Sequence, residues 1–171
     1  MEPLPKRKTL RARPYDYSQS GAYFITVCVK GRRPLLSSIT KPTVGDGAFD
    51  VPQLKLTPIG KIVEKYLLSS ERISGVKIDT FVIMPDHLHA IIFLDNKMNQ
   101  TNENGTSRAP PPTNERLPHI ISTFKRFCHR EIGEDIFQRG YMDHIIRDRE
   151  DYETRRKYIY ENPLRWIYKD T

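Results

Sequence analysis

Apolar positions along the chain fall into short blocks separated by polar stretches. Ala22 to Val29 (AYFITVCV) is dense in β-branched and aromatic residues and predicts a strand, ended by Lys30-Gly31-Arg32-Arg33-Pro34. Residues 40–57 contain Pro and Gly and predict a loop with room for one short strand. Thr57-Pro58 has the form of a helix start, with Thr57 as N-cap and Pro58 at the first helical position. Ile59, Ile62, Val63, Tyr66 and Leu67 then share one helical face. Lys77 to Met84 and His87 to Leu94 predict two strands joined by a turn at Pro85-Asp86.

Residues 95–116 are polar, Asn-rich and Pro-rich without a periodic apolar face, and predict a flexible loop inside the domain. Leu117 to Ile132 predicts an amphipathic helix, with Ile120, Phe124, Phe127 and Cys128 on its apolar side. A short strand is expected around Tyr141 to Ile146. Asp148 has the chemistry of an N-cap for a final helix running to about Asn162, where Pro163 is expected to end it. The order is strand, helix, two strands, helix, strand, helix, with no internal repeat. It predicts an α+β fold: a ferredoxin-like antiparallel sheet with helices packed on it, and a C-terminal helix.

Length and charge narrow the function. The 171 residues suit one domain, here 15–171, preceded by a basic arm at 1–14 that carries Lys6-Arg7-Lys8, Arg11 and Arg13. The apolar runs are too short to span a bilayer, and the N-terminus has no apolar signal-peptide core, so a soluble cytoplasmic protein is expected. Cys28 falls in a predicted strand and Cys128 in a predicted helix, without metal-type spacing, which reads as two free thiols in a reducing compartment. Lys and Arg number 28 against 21 Asp and Glu, a net charge of +7, which favours a polyanionic partner such as nucleic acid.

Two constellations carry chemistry. His87 and His89 are two residues apart, so on a strand they project from the same face while Leu88 points into the core. Two adjacent imidazoles make half of a metal site; taken alone, they also describe two histidines on a half-buried sheet face. Tyr158 and Asn162 are four apart and share a helical face. The Asn162 side-chain oxygen is a neutral hard ligand that would complete a His/His/Asn set, with Tyr158 one turn away beside the ion. Taken alone, these two residues also describe a packing aromatic and a helix C-cap.

In combination the segments resemble a known family. Gly21–Leu36 (GAYFITVCVKGRRPLL), Phe81–Ile92 (FVIMPDHLHAII), Phe137–Tyr152 (FQRGYMDHIIRDREDY) and Arg155–Trp166 (RRKYIYENPLRW) are similar, in order and wording, to the REP-associated tyrosine transposases, a branch of the insertion-sequence single-tyrosine HUH transposases. The resemblance covers most of the chain outside 1–14, 40–57 and 95–116. It implies that His87 and His89 are the paired metal histidines and Tyr158 the nucleophile. Many relatives carry Gln four residues after the tyrosine; Asn162 stands there in this chain and is one methylene shorter.

The resemblance further implies a divalent metal, Mg²⁺ or Mn²⁺. It implies single-stranded or hairpin DNA as partner, and cleavage and rejoining near hairpins through a 5′-phosphotyrosine with a free 3′-hydroxyl. A bound divalent ion offsets the charge of the scissile phosphate, and neutral ligands leave its pull undiminished. Imidazole ligands also accept Co²⁺ or Zn²⁺. A phenol must be activated to attack. The covalent bond conserves the phosphodiester energy, so rejoining needs no nucleotide, and the sequence contains no nucleotide-binding loop.

Tyr160 competes for the nucleophile's place, but two residues along a helix is ~200° of rotation, so it is expected to face away. Tyr141 lacks a partner at helical spacing. Expected DNA contacts are Arg11 and Arg13 on the arm, Arg32 and Arg33 after the first strand, and Lys125, Arg126 and Arg130 on the middle helix. His144 sits in a matching segment and is a candidate to act behind the metal ligands, to contact DNA or to hold structure. Two rival readings stay open at this stage: a catalytically silent protein of the same fold that binds DNA hairpins, and an unrelated metal-dependent hydrolase that uses His87 and His89 without Tyr158. The family contains both monomers and homodimers, and the sequence does not choose between them.

Overall fold

The computed structural model describes residues 20–41, 52–95 and 116–168. The arm at 1–14, with Arg11 and Arg13, and nearly all of the 95–116 loop lie outside the described residues. The elements are β1 (Gly21–Cys28), β2 (Ser37–Thr40), β3 (Gln53–Leu56), α1 (Pro58–Ser69), β4 (Val76–Ile83), β5 (His87–Leu94), α2 (Arg116–Ile132), β6 (Met142–Ile146) and α3 (Arg149–Ile167). Strands β1, β4, β5 and β6 form one antiparallel sheet in the order β4-β5-β1-β6. With α1 and α2 between them, this is the β-α-β-β-α-β arrangement expected of a ferredoxin-like fold. The β2–β3 hairpin is an addition to it, standing where a loop with one short strand is predicted.

Period-two alternation sorts the sheet into two faces. Tyr23, Ile25 and Val27 of β1 join Leu88, Ala90, Ile92 and Leu94 of β5 in the main core, closed by Val63 and Leu67 of α1 and by Leu117, Ile120, Ile121, Phe124 and Cys128 of α2. The opposite positions, Phe24 of β1 and Ile91 of β5, pack with Ile159 of α3 in a smaller cluster. A ferredoxin-like sheet has two faces and only two crossover helices; here the third helix covers the second face. That placement brings the C-terminal helix over the odd-numbered residues of β5, which include both histidines.

The predicted caps are present. Thr57 accepts the Gly60 amide at 3.0 Å, and Asp148 accepts the Asp151 amide at 2.9 Å. The expected end of the last helix is not: α3 continues through Pro163 to Ile167. A proline forfeits its own amide bond and crowds the preceding turn, but a helix survives this where its later residues have partners. Beyond Pro163, the Tyr168 amide bonds to Leu164 O at 3.3 Å and Trp166 lies against His87. Asn162 is therefore a buried residue of the helix interior, not its cap.

Gly60 marks where α1 meets the β2–β3 hairpin. A Cβ there would stand 1.9 Å from Leu36 O. That carbonyl already accepts the Thr57 amide at 3.0 Å, and it cannot move without breaking the cap region. Gly60→Ala is expected to destabilise the domain by about 3 kcal/mol despite alanine's better helix propensity. Thermal unfolding checks it, with an expected fall of roughly 10 °C.

Candidate active site

The β4–β5 turn fixes the first histidine. Met84 N–H bonds to His87 O at 2.8 Å, Val29 N–H to Asp86 O at 2.9 Å, and Leu36 N–H to Pro85 O at 2.9 Å, so the turn is held from both flanks. The register of β1 against β5 sets Thr26 opposite His89 and Cys28 opposite His87. Each imidazole is then tied through its Nδ1: His87 to Asp86 Oδ1 at 2.5 Å, and His89 to Thr26 Oγ1 at 2.8 Å. The two Nε2 atoms converge to 3.1 Å. Ligands about 2.1 Å from one ion and at right angles to each other stand about 3 Å apart, so this separation is that of two adjacent corners of a coordination shell.

Both histidines are buried. Burial, and then the charge of a protonated His87, lower the His89 pKa from 6.5 to about 3. His89 is therefore neutral across the physiological range, the form in which imidazole binds metal. An imidazole charged at low pH only in the unfolded chain makes the unfolded state bind more protons between about 3 and 6.5, so folding stability falls as pH drops through that window. The contribution is on the order of 3 kcal/mol. Urea unfolding measured between pH 4 and 7 should show a steeper loss in the unsubstituted protein than in His89→Gln, which has nothing to titrate there; equal slopes would refute it.

α3 supplies the other half of the site. Tyr158 lies edge-on to His89, with ring centroids 5.2 Å apart, and edge-on to Phe24 at 6.0 Å. Phe24 in turn stacks on His89 at 5.2 Å. Tyr158 and Asn162 line a cleft of about 710 Å³ together with Arg32, Asp86, His87, Arg165 and Trp166. The Asn162 side chain is buried and makes no hydrogen bond to another described residue. Among the described residues no three His, Cys, Asp or Glu side chains gather as a metal site. The Asn162 amide oxygen, in the cleft that His87 also lines, is available as a third protein ligand, and this donor set fits a hard or borderline divalent ion.

The other predicted contacts separate. Arg32 lines the cleft and reaches Asp86 at 3.4 Å; its backbone is in the left-handed region at φ 55°, unusual for a residue other than glycine. Arg33 is turned to Glu134 at 2.7 Å. Lys125 donates to Gln138 O and Gly140 O at 2.8 and 2.7 Å, and burial lowers its ammonium to about 8, so it clamps the segment leading to β6. Arg126 and Arg130 cover the Phe127 ring on α2, across the sheet from the histidines. His144 bonds to Asp151 at 2.7 Å and neighbours Arg155, whose guanidinium lies over Phe24. It fastens the first turn of α3 to β6 and touches neither of the paired imidazoles.

Thr26, Asp86, Phe24, Arg165 and Trp166 are site residues absent from the sequence reading. Asp86 and Thr26 carried a signal, one beside His87 and the other as a polar residue in an apolar strand. Arg165 and Trp166 carried one too, inside the Arg155–Trp166 segment, but the expected helix end at Asn162 excluded them.

No protein-family model matches the chain. An uncharacterized protein of Haemophilus influenzae is 32% identical over an alignment 171 positions long, which covers 94% of this chain and 89% of the relative. The REP-associated tyrosine transposase of Escherichia coli is 24% identical over 153 residues, covering 88% of this chain and 72% of that protein. Among solved structures, a REP-associated tyrosine transposase bound to a REP hairpin superposes with a TM-score of 0.60 at 21% identity, over 91% of this chain and 73% of that one. Among the described residues no helix is long and apolar enough to cross a membrane. The chain thus belongs with the Haemophilus influenzae protein, and it is similar in sequence to the Escherichia coli REP-associated tyrosine transposase and in fold to the hairpin-bound one.

Proposed function

We propose that this protein is a metal-dependent single-stranded DNA transesterase that cleaves and rejoins DNA near hairpins. Similarity to the Escherichia coli REP-associated tyrosine transposase supports a transposase-like, DNA-processing role, and the solved structure of similar fold bound to a REP hairpin supports hairpin DNA as the partner. The observation that carries the chemistry is the convergence of the His87 and His89 Nε2 atoms at 3.1 Å under the edge of Tyr158.

His87, His89 and Asn162 hold the divalent ion, Mg²⁺ or Mn²⁺, which when bound offsets charge on the scissile phosphate. Asp86 and Thr26 keep both imidazoles turned with Nε2 toward it, as partners behind metal-bound histidines commonly do. Tyr158 Oη attacks phosphorus and its proton passes to solvent. The bond from phosphorus to the 3′-oxygen breaks, and that oxygen takes up a proton. A 5′-phosphotyrosine and a 3′-hydroxyl result, and attack by a 3′-hydroxyl reverses the step and joins strands. Arg32 and Arg165 line the cleft and carry the charge to hold the DNA backbone.

The test is a denaturing gel of the full chain with end-labelled hairpin DNA carrying single-stranded flanks, with Mn²⁺ or with chelator. A covalent band that requires metal is expected. Tight hairpin binding without a band in any metal would replace this reading with that of a silent hairpin-binding protein.

A further inference from the structure

Trp166 is the chain's only tryptophan, and its one ring contact among the described residues is with His87. It is half-buried and belongs to neither apolar cluster of the described residues. Its ring stands 6.1 Å from that of His87 at a tilt of 42°, and it lines the same cleft as Tyr158 and Asn162. The indole N–H has no partner among the described residues. Two guanidinium groups line the same cleft. Arg165 is steadied by Glu161 at 2.8 Å and lies over the Tyr158 ring, while Arg32 reaches Asp86 at 3.4 Å. A flat aromatic face in a cleft that also holds cations is how single-stranded nucleic acid is gripped without base pairing: the ring takes a base and the cations take phosphates.

We propose that Trp166 is a stacking platform for one unpaired base flanking the phosphate that Tyr158 attacks, with Arg165 and Arg32 on the neighbouring backbone. The inference rests on the DNA-processing reading above and adds to it a residue that selects for a splayed, single-stranded nucleotide at the site. A paired base is stacked on its neighbours and cannot present its face to the indole. The platform therefore works only on DNA that is already open beside the hairpin.

Because the indole is unique, its fluorescence reports on this position directly. Titrating the full chain with hairpin DNA bearing single-stranded flanks should quench it. Trp166→Ala should weaken binding of the flanked hairpin about 10-fold and raise KM for adduct formation with little change in kcat, while Trp166→Phe keeps most of the affinity. An abasic nucleotide at the flanking position should weaken binding to the unsubstituted chain by the same factor and cost Trp166→Ala nothing further. Adduct formation with unchanged fluorescence, or Trp166→Ala and abasic losses that multiply, would overturn the platform and leave the enzyme reading standing. No binding and no adduct from the unsubstituted protein would instead remove the enzyme reading and the platform with it.

Discussion

Tyr158→Phe is expected to abolish the covalent protein–DNA adduct and leave hairpin binding unchanged. The substitution removes one oxygen and keeps the ring that lies edge-on to His89 and Phe24. Tyr158 is 37% exposed, so losing its hydroxyl should cost less than about 1 kcal/mol of stability. On the proposed mechanism that oxygen is the nucleophile, and adduct formation should fall by at least about 10³-fold. Tyr160→Phe is the matched control. Tyr160 is 63% exposed, and hydrogen bonds with Thr80 and Arg156 lower its phenol pKa. Its acidity makes it a competitor, yet it lines a different, largely apolar pocket with Phe81 and Leu54, away from His87. The unsubstituted level of adduct is expected from Tyr160→Phe. Adducts that persist in Tyr158→Phe and vanish in Tyr160→Phe would move the nucleophile to Tyr160.

The sequence made the sheet legible because each strand announces itself by local composition. β5 spans His87–Leu94 as predicted, and β1, β4 and β6 shift by one residue at an end or both. The pairing of His87 with His89 was legible for the same reason: period-two geometry needs no tertiary information. The partners of those histidines were not legible, because they depend on register. Thr26 meets His89 only because β1 runs antiparallel to β5 with those two residues opposed. The end of α3 was misread because a local rule, that proline stops a helix, lost to tertiary packing of Trp166 against His87. The same misreading hid Arg165 and Trp166, whose place in the cleft requires α3 to continue.

Charge patterns were the least legible. Arg32, Arg33, Lys125, Arg126 and Arg130 look alike in sequence, and the fold assigns them different surroundings. A cation's role follows from which sheet face it reaches. Among the described helices only α3 lies over the histidine face, whereas Arg126 and Arg130 ride on α2 across the sheet and Lys125 is spent on two backbone carbonyls. Any contact that Arg126 or Arg130 makes with DNA would therefore grip it remote from Tyr158, and is expected to change affinity more than cleavage.

Replacing either histidine of the pair with alanine is the second large effect. His87→Ala or His89→Ala leaves one imidazole where a coordination shell needs two adjacent corners, and should reduce Mn²⁺ binding and adduct yield together, each by more than about 100-fold. The fold should survive. His89→Ala gives up the stack on Phe24 and leaves Thr26 Oγ1 without its partner, a cost of about 2 kcal/mol. Partners one step removed should give smaller losses of the same kind: Asp86→Asn and Thr26→Val free the Nδ1 atoms to turn, and about 10-fold weaker metal binding is expected from each. Asn162→Ala should resemble a histidine loss if its amide is the third ligand. Asn162→Gln should restore part of the binding, since the longer side chain carries the same oxygen. Mn²⁺ titration followed by calorimetry, on the same preparations used for the adduct gel, separates the cases. Loss of adduct with Mn²⁺ affinity intact in His87→Ala would reject the histidine pair as the ligand set while keeping Tyr158 as nucleophile.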